Sequence, residues 1–342
     1  MAVIEHTFET YQAKGIREDL SDLIADISPT ATPFQSNIGS RSAENTYFEW
    51  QTDSLSAASA TPVEEGSNLA SYTAVTPTVR LGNYCQINMR DFIISGTEQK
   101  VTKAGRSSEV GYQAAKAAKE LKRNVEKACL LNGVGAVVGA TDTARVTAGF
   151  PGWLKTNVSA NGGGDGPVVK PSYTGSTPTG AAQVWKTFGT PVALTEAMVK
   201  TVMQSCFEQG GEPSMLMVSP YNKTVVSGFS GIAESRFNVD GAEPSTIIAA
   251  ADIYVSDFGN LSVVPNRFFT TVVDSTSGSS VMNDWAFLID PDEVKLATLR
   301  PYGIEALAKT GDADKRMALI EWGLQVNNEA AHGVVAGIKA VA

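Results

Sequence analysis

The chain has 342 residues, 43% hydrophobic and 18% charged, which is typical of a globular protein of about two domains. Its formal net charge of −9 makes it an atypical nucleic-acid binder, because neutralising phosphates requires clustered Lys and Arg. Its three cysteines, Cys85, Cys129 and Cys206, are too dispersed for a zinc site or a disulfide framework, and we expect buried free thiols in a reducing cytoplasm.

The first predicted element is a helix over residues 16–27. Its apolar side chains repeat at the spacing of one helix face: Ile16, Leu20, Leu23, Ile24 and Ile27. Three aspartates lie off that stripe, and Pro29 and Pro33 end the helix. Because the helix lies on an otherwise polar arm, its stripe must be covered either by the body of the same molecule or by a neighbouring one.

Residues 45–53 and 78–95 predict the two strands of a long hairpin, since both are rich in aromatic and β-branched side chains. The connection over residues 54–77 is rich in Ala, Ser, Thr and Pro and has no helical stripe. A loop of this length is unusual in a compact domain and is often functional. The alternative is a disordered surface excursion.

Residues 106–131 predict the longest helix, with apolar residues at helical spacing and Gly133 at its end. The segment from Glu98 to Lys127 contains eight basic and four acidic residues, so it is positive within an acidic protein. One interpretation is a solvated helix face with intrahelical ion pairs. The other is a face that meets DNA or an acidic surface of a neighbour.

Residues 133–193 are rich in Gly, Ser, Thr and Pro and predict an insertion of short strands and loops. Two glycine patterns occur here. The run from Gly133 to Gly139 follows a helix rather than a strand, and the run from Gly162 to Gly166 lacks the Lys-Ser/Thr of a phosphate loop. We therefore interpret both runs as connectors.

A compact α/β subdomain is predicted next. Thr195 can cap a helix that ends at Gly210-Gly211, and residues 215–218 form a short buried strand. Ser219-Pro220 then has the pattern of a helix start. Two further strands follow, over residues 252–257 and 261–264, with a hairpin turn at Gly259-Asn260.

The last third is predicted to be mainly β. Strands over residues 286–289 and 294–299 flank Asp290-Pro291-Asp292, and residues 316–327 alternate in the manner of a long strand.

Catalytic chemistry finds little support in the sequence. There are two histidines, His6 and His332, and neither lies beside a nucleophile motif; GxSxG, HExxH and paired cysteines are absent. We predict no catalytic residue, no metal site and no cofactor. No basic segment leads into an apolar core at the start of the chain, and no apolar run reaches the roughly 20 residues needed to cross a bilayer, so we expect neither a signal peptide nor a membrane partner.

Several segments resemble one family of major head (capsid) proteins of tailed bacteriophages. In the N-terminal half these are GIREDLSDLIADISPTATPFQSNIG (15–39), TYFEWQTDSL (46–55), VRLGNYCQI (79–87) and SGTEQKVTKAGRSSEVGYQ (95–113). In the C-terminal half they are IYVSDFGNLSVVPNRF (253–268), DPDEVKLATLRPY (290–302) and LAKTGDADKRMALIEWGLQVNNEAAHG (307–333). The resemblance covers most of the chain and is weakest over residues 133–193.

This resemblance implies an α+β architecture, the Hong Kong 97-type phage capsid fold. Such a fold has an N-terminal arm, an extended hairpin called the E-loop, a peripheral domain with a long spine helix, and an axial α/β domain. The implied boundaries are residues 1–44 for the arm, 45–95 for the E-loop, 96–194 for the spine helix and insertion, 195–285 for the axial domain, and 286–342 for a C-terminal β segment that returns to the peripheral domain.

The implied function is structural: copies assemble into hexamers and pentamers of an icosahedral head that encloses double-stranded DNA without sequence-specific binding. Such a head would be assembled in the host bacterial cytoplasm, and portal, scaffolding or decoration proteins are the further partners of such heads. The alternative with the same fold is an encapsulin-like nanocompartment that packages protein cargo. From a different class, an α/β hydrolase-like enzyme with an unrecognised site is the remaining alternative.

Ten residues are the predicted assembly contacts. A protruding hairpin cannot bury aromatic side chains within itself, and aromatic residues are enriched at interface anchors. The apolar stripe of the arm, Arg106 at the start of the long helix and four charges near the last long strand complete the set: Leu20, Leu23, Ile24, Phe48, Trp50, Arg106, Lys309, Asp312, Lys315 and Arg316.

Overall fold

The computed structural model describes residues 31–55, 58, 60, 62–67, 75, 77–103, 105–131, 135–160, 191–229, 252–269 and 285–339. The predicted helix over residues 16–27, with Leu20, Leu23 and Ile24, lies outside them. Within the described ranges the chain forms a four-stranded sheet, a six-stranded sheet and a two-stranded ribbon, with helices packed against both sheets.

The four-stranded sheet joins the two ends of the described chain. Its order is β1-β10-β11-β4, with β1 parallel to β10 and the other pairs antiparallel. Its strands are β1 (Gly39–Ser42), β4 (Gln86–Ser95), β10 (Val294–Ala306) and β11 (Ala313–Val326). The short helix α1 (Pro33–Asn37) precedes β1, and α2 (Gly96–Lys100) follows β4.

The predicted long helix is α3 (Glu109–Leu131), which packs on one face of this sheet against β4 and β11. Its buried stripe includes Leu121, Val125 and Cys129. The alternation predicted for β11 is confirmed, because the apolar set from Ala318 to Val326 is buried. Because β11 is an inner strand of the sheet, part of the face that carries the alternate residues is covered as well.

The predicted hairpin is a ribbon of β2 (Tyr47–Thr52) and β3 (Val79–Tyr84) in antiparallel register, Tyr47 opposite Tyr84 and Thr52 opposite Val79. The single return strand predicted over residues 78–95 is wrong in one respect. The chain leaves the ribbon at Cys85, whose N–H donates to the carbonyl of Thr46 at 2.7 Å, and then enters the four-stranded sheet as β4. Two sheets therefore share one continuous stretch of β sequence.

The α/β subdomain forms the six-stranded sheet, in the order β5-β12-β9-β6-β8-β7. Its strands are β5 (Val158–Ala160), β6 (Met215–Val218), β7 (Ile253–Ser256), β8 (Gly259–Pro265), β9 (Trp285–Ile289) and β12 (Gly333–Ala336). Helices α4 (Glu196–Glu208) and α5 (Pro220–Ser227) pack against this sheet. Thr195 is the N-cap of α4 without a side-chain cap bond, whereas the Ser219 hydroxyl accepts from the N–H of Asn222 at 3.2 Å.

The predicted turn between β7 and β8 is shifted by two residues. Asp257-Phe258 form the turn, and Gly259 already pairs with Ser256 as the first residue of β8. Gly259 has φ of +137°, a conformation that residues with a Cβ rarely adopt, which is why glycine stands there.

Short apolar pieces of the 133–193 insertion belong to the main core. The segment GFPGWL forms a 3-10 turn at Phe150–Gly152, and Phe150 and Trp153 are fully buried. Phe150 packs edge-on against Phe287 of β9, so this loop joins α3, the ribbon and the six-stranded sheet in one hydrophobic cluster.

Candidate assembly surfaces

The aromatic residues of the ribbon are buried by the chain itself. Phe48 is 4% exposed and Trp50 is 8% exposed; the Trp50 ring lies 5.3 Å from that of Trp153, and the Arg41 guanidinium lies 5.6 Å from the centre of the Phe48 ring. The hairpin does not bury these rings within itself, but other parts of the same chain do, so both side chains are already covered within the subunit. The ribbon root lies on β11, where Gly323 leaves room for Phe48.

Asn83 fixes this ribbon root. Its buried side-chain amide donates to the carbonyls of Leu324 at 2.7 Å and Ala148 at 3.2 Å. Its oxygen accepts from the N–H groups of Tyr84 at 2.9 Å and Ala148 at 3.0 Å. An asparagine amide offers two donors and one carbonyl with two acceptor sites, so this one is fully used. The root of the ribbon is thus bonded to β11 and to the 146–150 loop.

The outer end of the ribbon, unlike its buried root, carries exposed apolar side chains. Leu55, Val63 and Val75 are 99%, 78% and 93% exposed. Glu64 to Ser67 form a tight turn closed by a 3.1 Å bond from the Ser67 N–H to the Glu64 carbonyl. Sequence reasoning did not single out these apolar side chains. Their position between the two strands of a long hairpin is the feature that could have identified them.

Four of the predicted charged contacts lie together on the hairpin that joins β10 to β11. Lys309 and Asp312 are exposed, and the Asp312 carbonyl accepts from the Gly96 N–H at 3.2 Å. Lys315 binds the Thr310 hydroxyl, and Arg316 pairs with Asp314 at 3.2 Å. All of these bonds are within the chain, and each leaves charge at the surface.

Arg106, the fifth predicted charge, lies elsewhere. It pairs with Glu109 at the start of α3, and its guanidinium lies 5.0 Å from the centre of the Tyr112 ring. The side-chain bond from Gln113 and the Arg106 charge lower the pKa of Glu109. The contacts of Arg106 are therefore with Glu109 and Tyr112 of its own segment of the chain.

Glu126 of α3 anchors the N-terminal part of the described chain. Its buried carboxylate accepts from the N–H groups of Phe34 at 2.8 Å and Gln35 at 2.9 Å, and from the Asn266 amide at 2.8 Å. Burial raises its pKa, and these hydrogen bonds act in the opposite direction. One side chain thus joins α1, α3 and the residue that follows β8.

Glu321 of β11 holds two arginines on the face opposite α3. It binds Arg145 at 2.5 Å and Arg300 at 2.7 Å, and it is almost fully buried. Pairing with two arginines compensates a buried carboxylate. Sequence analysis did not single out Glu321, since its partner Arg145 is 176 residues away along the chain.

His332 and the three cysteines are residue types that catalytic sites often use, but here they are part of the buried core. His332 is fully buried; its Nδ1 accepts from the Asp290 N–H at 3.1 Å, and burial lowers its pKa to about 3. The three cysteines are buried free thiols, as predicted. Over the described ranges, no group of three or more His, Cys, Asp or Glu side chains could hold a metal ion. None of the described helices is long and apolar enough to cross a bilayer.

Known proteins match this chain over nearly its whole length. A family model described as SU10 major capsid protein matches residues 3–339. The major capsid protein of Escherichia phage Phieco32 is 27% identical over 354 residues, covering 96% of each chain. Among solved structures, a chain of the cyanophage A-1(L) capsid asymmetric unit has a TM-score of 0.62 at 14% identity, covering 96% of this chain and 98% of that one. The capsid of the native GTA particle, computed with C5 symmetry, has a TM-score of 0.60 at 14% identity, with the same coverage.

The fold is therefore that of the phage capsid proteins of the Hong Kong 97 type, an α+β shell subunit, as the sequence resemblance implied. The chain belongs to the SU10 major capsid protein family. It is a structural subunit of a virion capsid, and its copies form a homo-oligomeric shell. These relatives are capsid proteins and do not favour the nanocompartment alternative.

Proposed function

We propose that the chain forms hexamers and pentamers that close an icosahedral head around double-stranded DNA, and that the ribbon is the principal link between neighbouring copies. One observation carries this proposal: a ribbon bonded firmly at its root by Asn83 bears almost fully exposed Leu55 and Val75 at its outer end. Exposed apolar groups on a hairpin whose root is fixed to the subunit are suited to burial on another molecule.

A surface suited to receive them lies on β4. This strand is at the edge of the four-stranded sheet, and its outward side chains Ile87, Met89 and Ile93 are 46%, 54% and 61% exposed. An apolar edge strand invites pairing with another chain, and closed symmetric assembly satisfies such edges without open-ended growth. We therefore assign β4 as the counterpart of the ribbon in a neighbouring copy.

The charges of the β10–β11 hairpin form the second proposed contact. Lys309, Asp312, Lys315 and Arg316 combine both signs on one projecting element, and such mixed charges favour register and specificity more than affinity. Arg106, on a separate loop, is proposed as a contact within the subunit rather than between copies, since Glu109 already holds it.

The division of labour along the chain follows the family fold. We assign residues 1–44 to an arm, 45–95 to the extended loop, 96–194 to the spine helix with its insertion, 195–285 to an axial domain and 286–342 to the returning β segment. The subunit acts without catalysis. The host bacterial cytoplasm is the proposed place of assembly, with portal, scaffolding or decoration proteins as further partners. Net charge of −9 suits a shell that confines DNA without adhering to it.

Sedimentation velocity with electron microscopy of each peak tests this proposal. Wild-type protein is expected to give closed shells or rings of five and six copies. The double variant Leu55→Ser/Val75→Ser should remain unassembled with unchanged unfolding, because both side chains are exposed in the subunit. Val138→Ser, which alters another exposed apolar residue, is the matched control and should assemble. Normal shells from the double variant would contradict the role of the ribbon.

A further inference from the structure

The hairpin that contains the ribbon carries charge of only one sign. Residues 42–79 contain five carboxylate side chains and no Lys, Arg or His. Glu49 pairs with Arg80 across the ribbon. Glu64 and Glu65, on the turn at the outer end, are exposed, and within the described residues neither carboxylate has a hydrogen bond or an ion pair. The outer end of the hairpin therefore presents negative charge that its own subunit leaves unpaired.

Helix α3 has charge of the opposite sign along one side. Lys116, Arg123 and Lys127 follow one another at spacings of seven and four residues, so they lie within about 40° of one another around the helix axis, over a length of about 16 Å. We call these three residues the basic row. Lys116 and Lys127 are exposed, and neither has a partner among the described residues. The Arg123 guanidinium lies 5.7 Å from the centre of the Phe268 ring.

The acidic residues of α3 do not neutralise the basic row, because each is bonded elsewhere. Glu109 pairs with Arg106, and Glu120 pairs with Arg90 of β4 at 2.8 Å. Glu126 is buried and accepts from the N–H groups of α1. The row therefore presents positive charge at the surface of a protein whose net charge is −9.

The ion pair between Glu120 and Arg90 shows where the basic row lies on the subunit. Glu120 follows Lys116 by one turn and precedes Lys127 by about two turns, and it lies on the same side of the helix. Since Arg90 belongs to β4, the row passes this edge strand and extends in both directions along α3. The basic row is therefore next to the strand that we assigned as the counterpart of the ribbon.

A ribbon docked on β4 has the reach to bring its outer turn to the basic row. In the assembly role described above, Leu55 is buried on β4 of a neighbouring copy. Glu64 follows Leu55 by nine residues, and nine residues span at most about 30 Å. The row is about half as long as that span and lies beside β4, so the turn reaches it while Leu55 remains on the strand.

We propose that Glu64 and Glu65 of one copy contact the basic row of the neighbouring copy that receives its ribbon. This inference rests on the proposed role of the ribbon and adds an electrostatic contact to the apolar one. Exposed ion pairs contribute little affinity, whereas complementary charges raise the association rate and favour the correct register. We therefore expect the contact to control the rate of assembly and its dependence on salt more than the stability of the finished shell.

Double-stranded DNA is the other partner that a row of positive charge fits, and it is less favoured. The electrostatic affinity for DNA grows with the number of phosphates neutralised, and three cations on a subunit with a net charge of −9 neutralise few. The turn of a neighbouring hairpin requires only a short row, and it supplies two carboxylates that have no partner in their own subunit.

Zero-length carbodiimide crosslinking of assembled shells tests the contact, because the reagent joins a carboxylate directly to a lysine in contact with it. Shells formed from a mixture of isotopically labelled and unlabelled protein should give crosslinks from Glu64 or Glu65 to Lys116 or Lys127, including pairs in which only one peptide is labelled. Unassembled subunits should not give them. Shells without these crosslinks, or crosslinks only within one copy, would overturn the proposal. Failure to form shells or rings, reported by sedimentation of the same samples, would instead contradict the proposed function on which it rests.

The rate of assembly, followed by light scattering at increasing salt, tests the role of the charges. Glu64→Lys/Glu65→Lys should assemble about ten times more slowly than wild type at low salt, because the steering charge is reversed. The difference should disappear at about 1 M salt, where the Debye length is near 3 Å. Asp142→Lys/Asp257→Lys makes the same change in net charge at two exposed positions, so it is the matched control and should assemble at the wild-type rate.

Charge exchange between the two surfaces completes the test. Adding Lys116→Glu/Lys127→Glu to Glu64→Lys/Glu65→Lys should restore the assembly rate at low salt, because the signs are again complementary. Equal rates for Glu64→Lys/Glu65→Lys and its control, or no restoration by the exchange, would overturn the proposal. Weaker retention of DNA by Lys116→Glu/Lys127→Glu with an unchanged assembly rate would also overturn it and would assign the basic row to DNA.

Discussion

Phe48 of the ribbon lies directly over Gly323 of the central strand β11. A Cβ on Gly323 would come within 2.5 Å of the Phe48 ring and 3.1 Å of the Tyr84 carbonyl. The absence of a side chain at one position is therefore what lets the ribbon lie on the sheet.

Gly323→Ala should destabilise the subunit by about 1–3 kcal/mol, the range for overpacking a filled core. Urea unfolding measures the effect. Gly303→Ala, on the neighbouring strand β10, is the control, since its nearest obstacle is a carbonyl 3.8 Å away. Equal stabilities of the two variants would contradict the proposed fit between Phe48 and Gly323.

Asn83→Ala removes a side chain with four hydrogen bonds and leaves buried backbone groups of Ala148 and Leu324 without these partners. We expect a loss of about 2–3 kcal/mol, because unsatisfied buried polar groups carry their full desolvation cost. Asn260→Ala, at an exposed position of β8, should stay within about 0.5 kcal/mol of wild type. Chemical denaturation of the unassembled subunit compares the two, and a neutral Asn83→Ala would show that the ribbon root is held by apolar packing alone.

Glu126→Gln should reveal the cost of a buried charge. The pKa of Glu126 is raised from 4.5 in the folded subunit, so ionisation costs the folded state more than the unfolded one. As pH rises above about 4.5, wild type should therefore lose stability relative to Glu126→Gln. Unfolding free energies measured from pH 4 to 8 give the difference between the two proteins, and a difference that does not vary with pH would exclude this assignment.

His332→Phe should have the opposite dependence. Burial lowers the pKa of His332 from 6.5 to about 3. The contribution of the neutral ring to the free energy of unfolding is therefore fully present above pH 6.5 and declines as the pH falls from 6.5 toward 3. The variant should be less stable at neutral pH, because the Asp290 N–H loses its acceptor, but its stability should fall less steeply in acid. Thermal unfolding over this pH range is the measurement. His6→Phe is the control, and parallel curves for His332→Phe and wild type would refute the prediction.

Local patterns foretold the elements well. The alternation of β11, the stripe of α3 and the Ser219-Pro220 start of α5 all have the predicted form, because each depends on neighbouring residues of one element. The resemblance to phage head proteins identified the fold and family.

Contacts between distant segments could not be foretold from local pattern. The break at Cys85 depends on which strand each half of the segment meets, and the burial of Phe48 depends on a glycine 275 positions later in the chain. The two ion pairs of Glu321 could not be foretold either, because alternation along a strand does not show which distant residues cover a side chain. The exposed apolar residues at the tip of the ribbon were missed because they are scattered through a polar loop.

The pairing of strands also determines when the subunit can be completed during synthesis. β1 pairs with β10, β4 pairs with β11, and Asn83 binds the carbonyl of Leu324, 241 residues later. The four-stranded sheet and the ribbon root therefore cannot form until the ribosome has synthesised the last tenth of the chain. Until then the ribbon of a nascent chain has no fixed orientation relative to the rest of the subunit. Only completed subunits therefore present the ribbon correctly to one another.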